Sequence, residues 1–381
     1  MTERVPSESF RHALEEAGVG LYTGVPDSLL KEFCAYISRE VASERHLITA
    51  NEGNSVAVAA GNYLATGKPS LVYMQNSGQG NAVNPLASLA HHKVYGIPMV
   101  LLIGWRGQPG VKDEPQHGVQ GVMTPEVLES LAIPYRTLSR SAAGASGDAT
   151  WAVEYALERG GPVALLVEKG TFEPDPDSTS AKDKSFHRTR EDALRVIVDT
   201  VGPRDLVVAT TGKTGRELDE VRLAAGSDAG GDFLNVGAMG HASQVAMGLA
   251  MGEPKRKVWC LDGDGAILMH MGALAIVAQH APENFLHVVL NNGVHDSVGG
   301  QPSVGLDIDI PAVALACGYR SVATVGDEDD LAAALENLAG SPGPCLLQVG
   351  LAPGARADLG RPKTTTLERR DPLMAWLKRD G

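Results

Sequence analysis

The chain alternates short apolar runs with longer segments of helical periodicity, and this alternation restricts the fold more than any other feature. In the first half the runs are bounded by Gly, Pro or Asn and cover residues 47–50, 71–74, 99–103 and 163–167. Residues 55–64 between two of these runs are rich in Ala and Val, which favours a helix buried against a sheet. Strands separated by helices form parallel sheets that are covered on both faces. The pattern therefore predicts an α/β fold built from doubly wound parallel sheets.

The alternation stops at residues 172–190, which are polar, interrupted by proline and without periodicity. We interpret this stretch as a linker between two domains of similar size, residues 1–171 and 191–381. In the second domain, strand-like runs resume at 206–209, 258–261, 285–290 and 345–349. Residues 351–371 are rich in Gly, Pro and Thr and precede a short amphipathic helix, so we expect this C-terminal segment to wrap the second domain.

Charge and cysteine content exclude several classes of protein. The chain has 33 basic and 46 acidic residues and a net charge of −13, whereas nucleic-acid-binding domains carry a net basic surface. Its four cysteines are far apart and form no C-x-x-C motif, which is typical of a reduced, cytoplasmic protein. Residues 1–10 lack a signal-peptide pattern, and no apolar run is long enough for a membrane span. We expect a protein that contacts neither nucleic acid nor membrane.

Two motifs follow consecutive predicted strands of the second domain. Gly263-Asp264-Gly265 comes after the run 258–261, and Asn291-Asn292 lies at the end of the run 285–290. The carboxyl ends of neighbouring parallel strands meet at one sheet edge, so this places a carboxylate beside an amide oxygen. Such oxygens suit Mg²⁺, which shares its other positions with phosphate oxygens, while glycines let a diphosphate approach the backbone. The alternative is a Gly-rich turn and an Asn-rich loop that bind no metal.

The two motifs, their spacing and their flanking strands resemble the signature of the thiamine-diphosphate-dependent decarboxylase and acetohydroxyacid synthase superfamily. The resemblance implies Asp264 and Asn292 as side-chain ligands of Mg²⁺ and the backbone carbonyl of Val294 as a third ligand. It implies that Gly263 and Gly265 also border the cofactor. It further implies a pyrimidine-binding first domain, a diphosphate-binding second domain, and a homodimer or larger oligomer with active sites at the subunit interface.

The same resemblance assigns roles to three further residues. Glu52 follows the run 47–50 at a predicted helix start, and the family places such a carboxyl group against N1′ of the aminopyrimidine. An apolar site would raise the pKa of Glu52, whereas the structural alternative is an acid that interacts with the helix dipole. In Val236-Gly237-Ala238-Met239-Gly240, the family implies that the Gly237 carbonyl accepts from the 4′-amino group and that Met239 supports the bent cofactor. The alternative for Met239 is a core side chain.

Most decarboxylases of this superfamily carry a third domain between the two cofactor domains, and residues 172–190 are too few to hold one. Over essentially the whole chain, the sequence resembles the two-domain phosphonopyruvate decarboxylase family, with the sulfopyruvate decarboxylases as near relatives. The segments that carry this resemblance are TGVPDS (23–28), NSGQGN (76–81), WRG (105–107), KDEPQH (112–117), GDGAILMHMG (263–272) and HDSVGGQP (295–302). It implies a lyase that converts 3-phosphonopyruvate to phosphonoacetaldehyde and CO₂ in phosphonate antibiotic biosynthesis.

Such a substrate is a 2-oxo acid with a second anion on carbon 3, so the protein needs groups that bind an anion. The candidates for substrate binding or catalysis lie in two loops: Arg106, Lys112 and His117, and then His295, Ser297 and Gln301. Basic side chains can pair with a phosphonate, and backbone N–H groups near Gly299-Gly300 can form an anion nest. The alternative is that the loop charges are merely solvated.

Asp27 is a candidate acid or orienting group near the reacting carbons. As the residue before a predicted helix at 28–37, it is equally a candidate N-cap. Two rival functions stay open. A sulfopyruvate decarboxylase would use the same chemistry, since phosphonate and sulfonate are both tetrahedral anions. A catalytically inert binding subunit would keep the fold, although it has no need for Glu52, Asp264 and Asn292 together.

Overall fold

The computed structural model describes residues 3–175, 186–227, 229–362 and 364–378 of the chain. Its contacts divide the chain into two compact units. The first unit contains Met1–Ser180 and Val298–Gln301, and the second contains Ala181–Ser297 and Pro302–Gly381. Among the described residues, no helix combines the length and the apolar character that crossing a membrane requires.

The first unit is a parallel sheet of six strands in the order β2-β1-β3-β4-β6-β5. Its strands are β1 (Leu21–Gly24), β2 (His46–Ile48), β3 (Ser70–Gln75), β4 (Met99–Gly104), β5 (Tyr135–Thr137) and β6 (Pro162–Val167). Its helices are α1 (Ser7–Glu16), α2 (Lys31–Glu40), α3 (Glu52–Thr66), α4 (Gln79–Pro85), α5 (Pro115–Ser130) and α6 (Ala142–Arg159). Short 3₁₀ and π segments, Asn76–Gly78 and Leu86–Ala90, flank α4.

The second unit is a parallel sheet of six strands in the order β11-β12-β10-β9-β7-β8. Its strands are β7 (Leu206–Ala209), β8 (Asp232–Leu234), β9 (Val258–Gly263), β10 (Phe285–Asn291), β11 (Ser321–Val325) and β12 (Cys345–Gly350). Its helices are α7 (Arg190–Thr200), α8 (Lys213–Ala225), α9 (Ala242–Gly252), α10 (Asp264–Met269), α11 (Ala273–His280), α12 (Ile310–Cys317), α13 (Leu331–Gly340) and α14 (Leu367–Leu377).

Each sheet has an apolar core on both faces because successive strand residues point in opposite directions. On β3, Leu71 and Tyr73 join one core of the first unit, whereas Val72 and Met74 join the other. Strand β9 divides its side chains between the two cores of the second unit in the same way. This two-sided burial explains why the central strands are continuous apolar runs rather than alternating ones. The predicted α/β class with doubly wound parallel sheets is confirmed.

Four strands, β1, β5, β8 and β11, are additional to the predicted ones. Each is short and contains at least one polar residue, which interrupts the apolar run. The helix predicted at 28–37 is also displaced, since it begins at Lys31 with Leu30 as its N-cap. Asp27 therefore does not cap this helix.

The described ends of the predicted linker belong to packed structure, while residues 176–185 of that prediction lie outside the described residues. The Phe172 ring packs on Phe10 and Phe33 at centroid distances of 5.6 and 5.3 Å. Arg190 opens α7, whose start is fixed by a capping box between Thr189 and Asp192. At the other end of the second unit, α14 buries Leu373 against that unit's core.

Candidate active site

Polar side chains of the first unit gather where four neighbouring strands end. The central part of the sheet has the order β2-β1-β3-β4, and all of these strands are parallel. Asp27 follows β1, Glu52 follows β2, Asn76 follows β3 and Arg106 follows β4. Because the carboxyl ends of parallel strands share one edge, residues far apart in sequence are brought to the same side of the unit. Ligands of open α/β sheets bind at such edges.

Glu52 is the first residue of α3, and its side chain turns into the protein. Asn51 caps the helix by accepting from the backbone N–H of Asn54 at 3.0 Å, so Glu52 is not needed for that role. Glu52 is only 4% exposed, and Oε2 accepts a hydrogen bond from Asn81 Nδ2 at 2.7 Å. Burial raises the pKa of Glu52, and the hydrogen bond from Asn81 opposes only part of this change. The carboxyl group is thereby suited to holding a proton.

Gly78 supplies the space that the Glu52 carboxyl occupies. A Cβ atom built on Gly78 would overlap Oε1, Cδ and Cγ of Glu52. A larger residue at position 78 would therefore displace the carboxyl group.

Asp27 is a second buried carboxyl group and is fully shielded from solvent. It accepts from Gln75 Nε2 at 2.5 Å and from the backbone N–H of Leu29 at 3.0 Å. Burial raises the pKa of Asp27 against the opposing effects of these bonds and of the Arg106 charge. Gln75 binds Asp27 and Asn81 binds Glu52, so the end of β3 and the short segment that follows it hold both carboxyl groups.

The predicted anion-binding residues of the first unit differ in what they contact. Arg106 forms a two-bond ion pair with Asp113, with Nε 2.7 Å from Oδ2, and its Nη1 donates to Ser28 Oγ at 2.7 Å. Lys112 is exposed, and His117 lies half-buried in α5. An anion that binds Arg106 must therefore share it with Asp113 or replace Asp113.

In the second unit, β9 and β10 are adjacent and parallel, with Gly263 opposite Leu290. Asp264 follows β9 as the first residue of α10 and is 3% exposed. Its Oδ2 accepts a hydrogen bond from Ser303 Oγ, and the neighbouring backbone of Asn292 also stabilises the charged carboxylate. Burial raises the pKa of Asp264 to about 6, against the opposing effect of these hydrogen bonds. The two motifs thus meet at one sheet edge.

The two asparagines of the second motif have different partners. Asn291 is fully buried at the end of β10 and bonds the loop that contains Gly305, since its Nδ2 donates to the carbonyl of Gly305 at 2.7 Å. Asn292 is 4% exposed, and its Oδ1 accepts from the backbone N–H of Val294 at 3.2 Å. The carbonyl of Val294 accepts from the backbone N–H of Asp296 at 3.0 Å. Carboxylate, amide and carbonyl oxygens in this region form a donor set that suits a hard divalent cation.

Two side chains flank the glycine of the first motif. A Cβ atom at Gly265 would lie 3.1 Å from the His295 ring and 3.4 Å from Met239 Cε. Burial lowers the pKa of His295 to about 4, so its ring is neutral at pH 7. Between Gly237 and Met239, Ala238 has a φ of 47°, which is uncommon for a residue other than glycine. The loop after β8 therefore has a constrained backbone next to Gly265.

Ser297 and Gln301 are not brought together in one unit. Ser297 is exposed in the second unit, where its Oγ accepts from the backbone N–H of Lys213 at 3.3 Å. Gln301 belongs to the first unit and is 4% exposed. Neither its amide nitrogen nor its amide oxygen has a hydrogen-bond partner within the part of the chain that the structure describes.

Several residues that support the site were not predicted: Asn81, Asn76, Asp113, Ser303 and Asp296. Asn76 bonds both the carbonyl and the N–H of Arg106, at 2.7 and 3.2 Å. The segments quoted for the family resemblance include four of the five, but no local spacing distinguishes these residues from other polar loop residues. Most of the groups that they bind lie far away in the sequence.

Comparisons with known proteins identify the family to which the chain is similar. The family model "Thiamine pyrophosphate enzyme, N-terminal TPP binding domain" matches residues 7–128, and "Thiamine pyrophosphate enzyme, C-terminal TPP binding domain" matches residues 226–349. A phosphonopyruvate decarboxylase of Streptomyces hygroscopicus is 39% identical over 360 residues, which cover 91% of this chain and 87% of the relative. One of Streptomyces viridochromogenes is 39% identical over 371 residues, 92% of this chain and 89% of the relative. A sulfopyruvate decarboxylase of Methanosarcina acetivorans is 26% identical over 373 residues, 92% of each chain.

Proposed function

The chain belongs to the phosphonopyruvate decarboxylase family of thiamine pyrophosphate enzymes, and on that premise we propose its substrate, its metal and the roles of its residues. It decarboxylates 3-phosphonopyruvate, without oxidation, to phosphonoacetaldehyde and CO₂, using thiamine diphosphate and Mg²⁺. The observation that carries the proposal is the 39% identity along 92% of the chain, together with the burial of Glu52, Asp264 and Asn292 at sheet edges.

The residues present fit the proposed cofactor. Asp264, Asn292 and the carbonyl of Val294 would hold Mg²⁺, and Gly263 and Gly265 would leave room for the diphosphate. Gly305 preserves the position of Asp264, since a Cβ atom there would lie 2.5 Å from the Cβ of Asp264. When bound, thiamine diphosphate supplies a nucleophilic carbon and an electron sink for decarboxylation.

Glu52 would hold and exchange a proton at its carboxyl oxygen. Asn81 donates to Oε2 and Gly78 leaves room for Oε1, so the carboxyl group is held in one position, from which it would exchange a proton with the aminopyrimidine of the cofactor. Desolvation raises the pKa of Glu52 and so favours the protonated form of its carboxyl group. In the same proposal, the carbonyl of Gly237 would accept from the 4′-amino group and Met239 would support the cofactor.

The overall reaction breaks the bond between the carboxylate carbon and the ketone carbon of the substrate. CO₂ leaves, and one proton from a protein acid or water replaces it on the former ketone carbon, which becomes the aldehyde carbon. Asp27 is the proposed acid or orienting group, because burial raises its pKa, which favours the protonated form, and its bond to Gln75 fixes its position. His117 and His295 are further candidates for proton transfer.

The phosphonate would be bound by Arg106, Lys112, Ser297 and Gln301. Arg106 is fixed by Asp113 and Ser28, and Gln301 offers a buried amide with unused donors and acceptor in the described part of the chain. We further propose a pyrimidine-binding domain at 1–171, a diphosphate-binding domain at 191–381, and a cytoplasmic homodimer or larger oligomer. Its place is in phosphonate antibiotic biosynthesis.

The test is aldehyde formation from phosphonopyruvate, sulfopyruvate and pyruvate with thiamine diphosphate and Mg²⁺, compared by kcat/KM. We expect phosphonopyruvate to be preferred by several tens-fold, about 2 kcal/mol in transition-state stabilisation. A preference for sulfopyruvate would support the second candidate, which the sulfopyruvate decarboxylase relative motivates. Absence of turnover, with a cofactor-dependent change in circular dichroism, would favour an inert binding subunit instead.

A further inference from the structure

Asp296 lies four residues after Asn292 and accepts donors from several separate elements of the second unit. Its Oδ2 accepts from Asn292 Nδ2 at 2.8 Å and from Arg190 Nη1 at 3.1 Å. The backbone nitrogen of Gly354 lies 3.1 Å from both carboxylate oxygens, and Lys213 Nζ lies 3.9 Å from Oδ1. These donors come from the end of β10, the start of α7, the loop after β12 and the start of α8. A carboxylate with so many charge-assisted partners has a fixed position.

The side chain of Arg190 is also held in a fixed position by several hydrogen bonds. Its side chain is 6% exposed and donates to the two carboxylate oxygens of Glu217 at 2.7 and 3.2 Å. Burial of a guanidinium is tolerated when its charge and its donors are matched, and Glu217 already supplies one negative charge. Lys213 and Asp296 complete a group of two positive and two negative charges. The bond from Arg190 to Asp296 therefore links α7 to the loop that carries Asn292 within a neutral cluster.

The contact between Asp296 and Asn292 determines the orientation of an amide. An ionised carboxylate only accepts hydrogen bonds, so it must bind the nitrogen of the Asn292 amide and leave the oxygen on the other branch. That oxygen accepts the Val294 N–H at 3.2 Å, and a carbonyl oxygen has a second lone pair. Asn292 is thus held at its amide nitrogen by Asp296 and at its amide oxygen by Val294.

We infer that Asp296 is a positioning residue that presents the Asn292 amide oxygen to the metal, and that Arg190 holds Asp296 in place. The inference rests on the proposed Mg²⁺ site. Groups that orient metal ligands through a hydrogen bond commonly account for ten- to hundredfold of metal affinity. Asp296 acts through Asn292, so its loss weakens metal binding, while the metal ligands themselves remain.

The test measures metal binding directly, with Mn²⁺ as a paramagnetic substitute for Mg²⁺. Mn²⁺ is titrated into the full-length protein with excess thiamine diphosphate, and the free ion is counted by electron paramagnetic resonance. We expect Asp296→Ala to weaken Mn²⁺ binding ten- to hundredfold. Asp296→Asn keeps the shape and one acceptor oxygen, so it should lose less. Because the ligands are intact, kcat should recover at saturating Mg²⁺, whereas the Mg²⁺ concentration for half-maximal activity rises.

The matched control is Asp232→Asn, which removes a charge from another buried ion pair of the second unit. Asp232 pairs with Arg222 through two bonds of 3.0 Å. We expect this variant to lower the thermal unfolding temperature without changing Mn²⁺ affinity.

Unchanged Mn²⁺ affinity in folded Asp296→Ala protein would overturn the inference, and so would an equal loss in Asp232→Asn, since the effect would then follow stability. If Asp296→Ala does not fold, unchanged Mn²⁺ affinity in folded Asp296→Asn protein would overturn the inference instead. Failure of the wild-type protein to bind Mn²⁺ with thiamine diphosphate would refute the proposed metal site as well. That result is obtained before any variant is compared, so the two failures are distinguishable.

Discussion

Replacing Gly78 with Ala tests whether the position of the Glu52 carboxyl controls catalysis. The added Cβ would overlap three side-chain atoms of Glu52, whereas ordinary contacts begin at 3.4 Å. Relief of the overlap requires a displacement of about 1 Å, either of the carboxyl group or of the Asn76–Gly78 turn. A displacement of that size at a reacting group costs about a hundredfold in rate, or roughly 3 kcal/mol of transition-state stabilisation. We therefore expect kcat/KM for decarboxylation to fall about a hundredfold in Gly78→Ala.

The assay is steady-state aldehyde formation at saturating thiamine diphosphate and Mg²⁺, with thermal unfolding measured in parallel. Gly61→Ala is the matched control, since Gly61 lies in α3 with Glu52 and a Cβ there meets no atom within 4 Å. The control should keep full activity and gain slightly in stability, because Ala favours a helix interior over Gly by up to about 1 kcal/mol. A Gly78→Ala protein that retains wild-type kcat/KM would refute the claim that this carboxyl must occupy its observed position.

Three further perturbations test other parts of the molecule. Arg106→Ala should reduce kcat/KM more for phosphonopyruvate than for pyruvate if, as proposed, the guanidinium pairs with the phosphonate; equal losses would contradict this role. Gly305→Ala should raise the Mg²⁺ concentration for half-maximal activity, because the added Cβ would overlap the side chain of Asp264. The control is Gly252→Ala, where a Cβ meets no atom within 4 Å, and it should match the wild type. Burial lowers the pKa of His46 to about 4, below its unfolded value of about 6.5. The unfolded chain then binds the proton first, so His46 costs stability as the pH falls from 6.5 towards 4. His46→Gln should lose about 1–3 kcal/mol less than the wild type between pH 7 and pH 5 in chemical denaturation; parallel losses would show that His46 stays solvated.

The fold class could be predicted because both sheets are buried on two faces. Strands such as β4, with all six residues buried, appear in the sequence as apolar runs between turn residues. Strands β5 and β8 have three residues each and lie at sheet edges, where partial burial leaves no such run. The family could be predicted because its metal motifs are contiguous in sequence, and the comparisons confirm that prediction. The role of each site residue stays a prediction.

The N-cap interpretation of Asp27 was wrong for a physical reason. Acidic residues before helices commonly cap them, but this carboxylate bonds Leu29 and Gln75 and is buried at the end of β1. Its partner Gln75 lies on another strand, and the register of β1 against β3 brings them together. Local propensity cannot report such a contact.

The sequence by itself determined the parallel α/β class, the cofactor family, and Glu52, Asp264 and Asn292 as candidate residues. These features depend on residues that are adjacent or regularly spaced, so a linear pattern contains them. Only the tertiary structure decided that Asn81 donates to Glu52 and that Arg106 is paired with Asp113. It also decided that Asp296 accepts from both Asn292 and Arg190. Parallel strands need long crossovers, so the residues that meet at a sheet edge come from distant parts of the chain, and their contacts exist only once that sheet has formed.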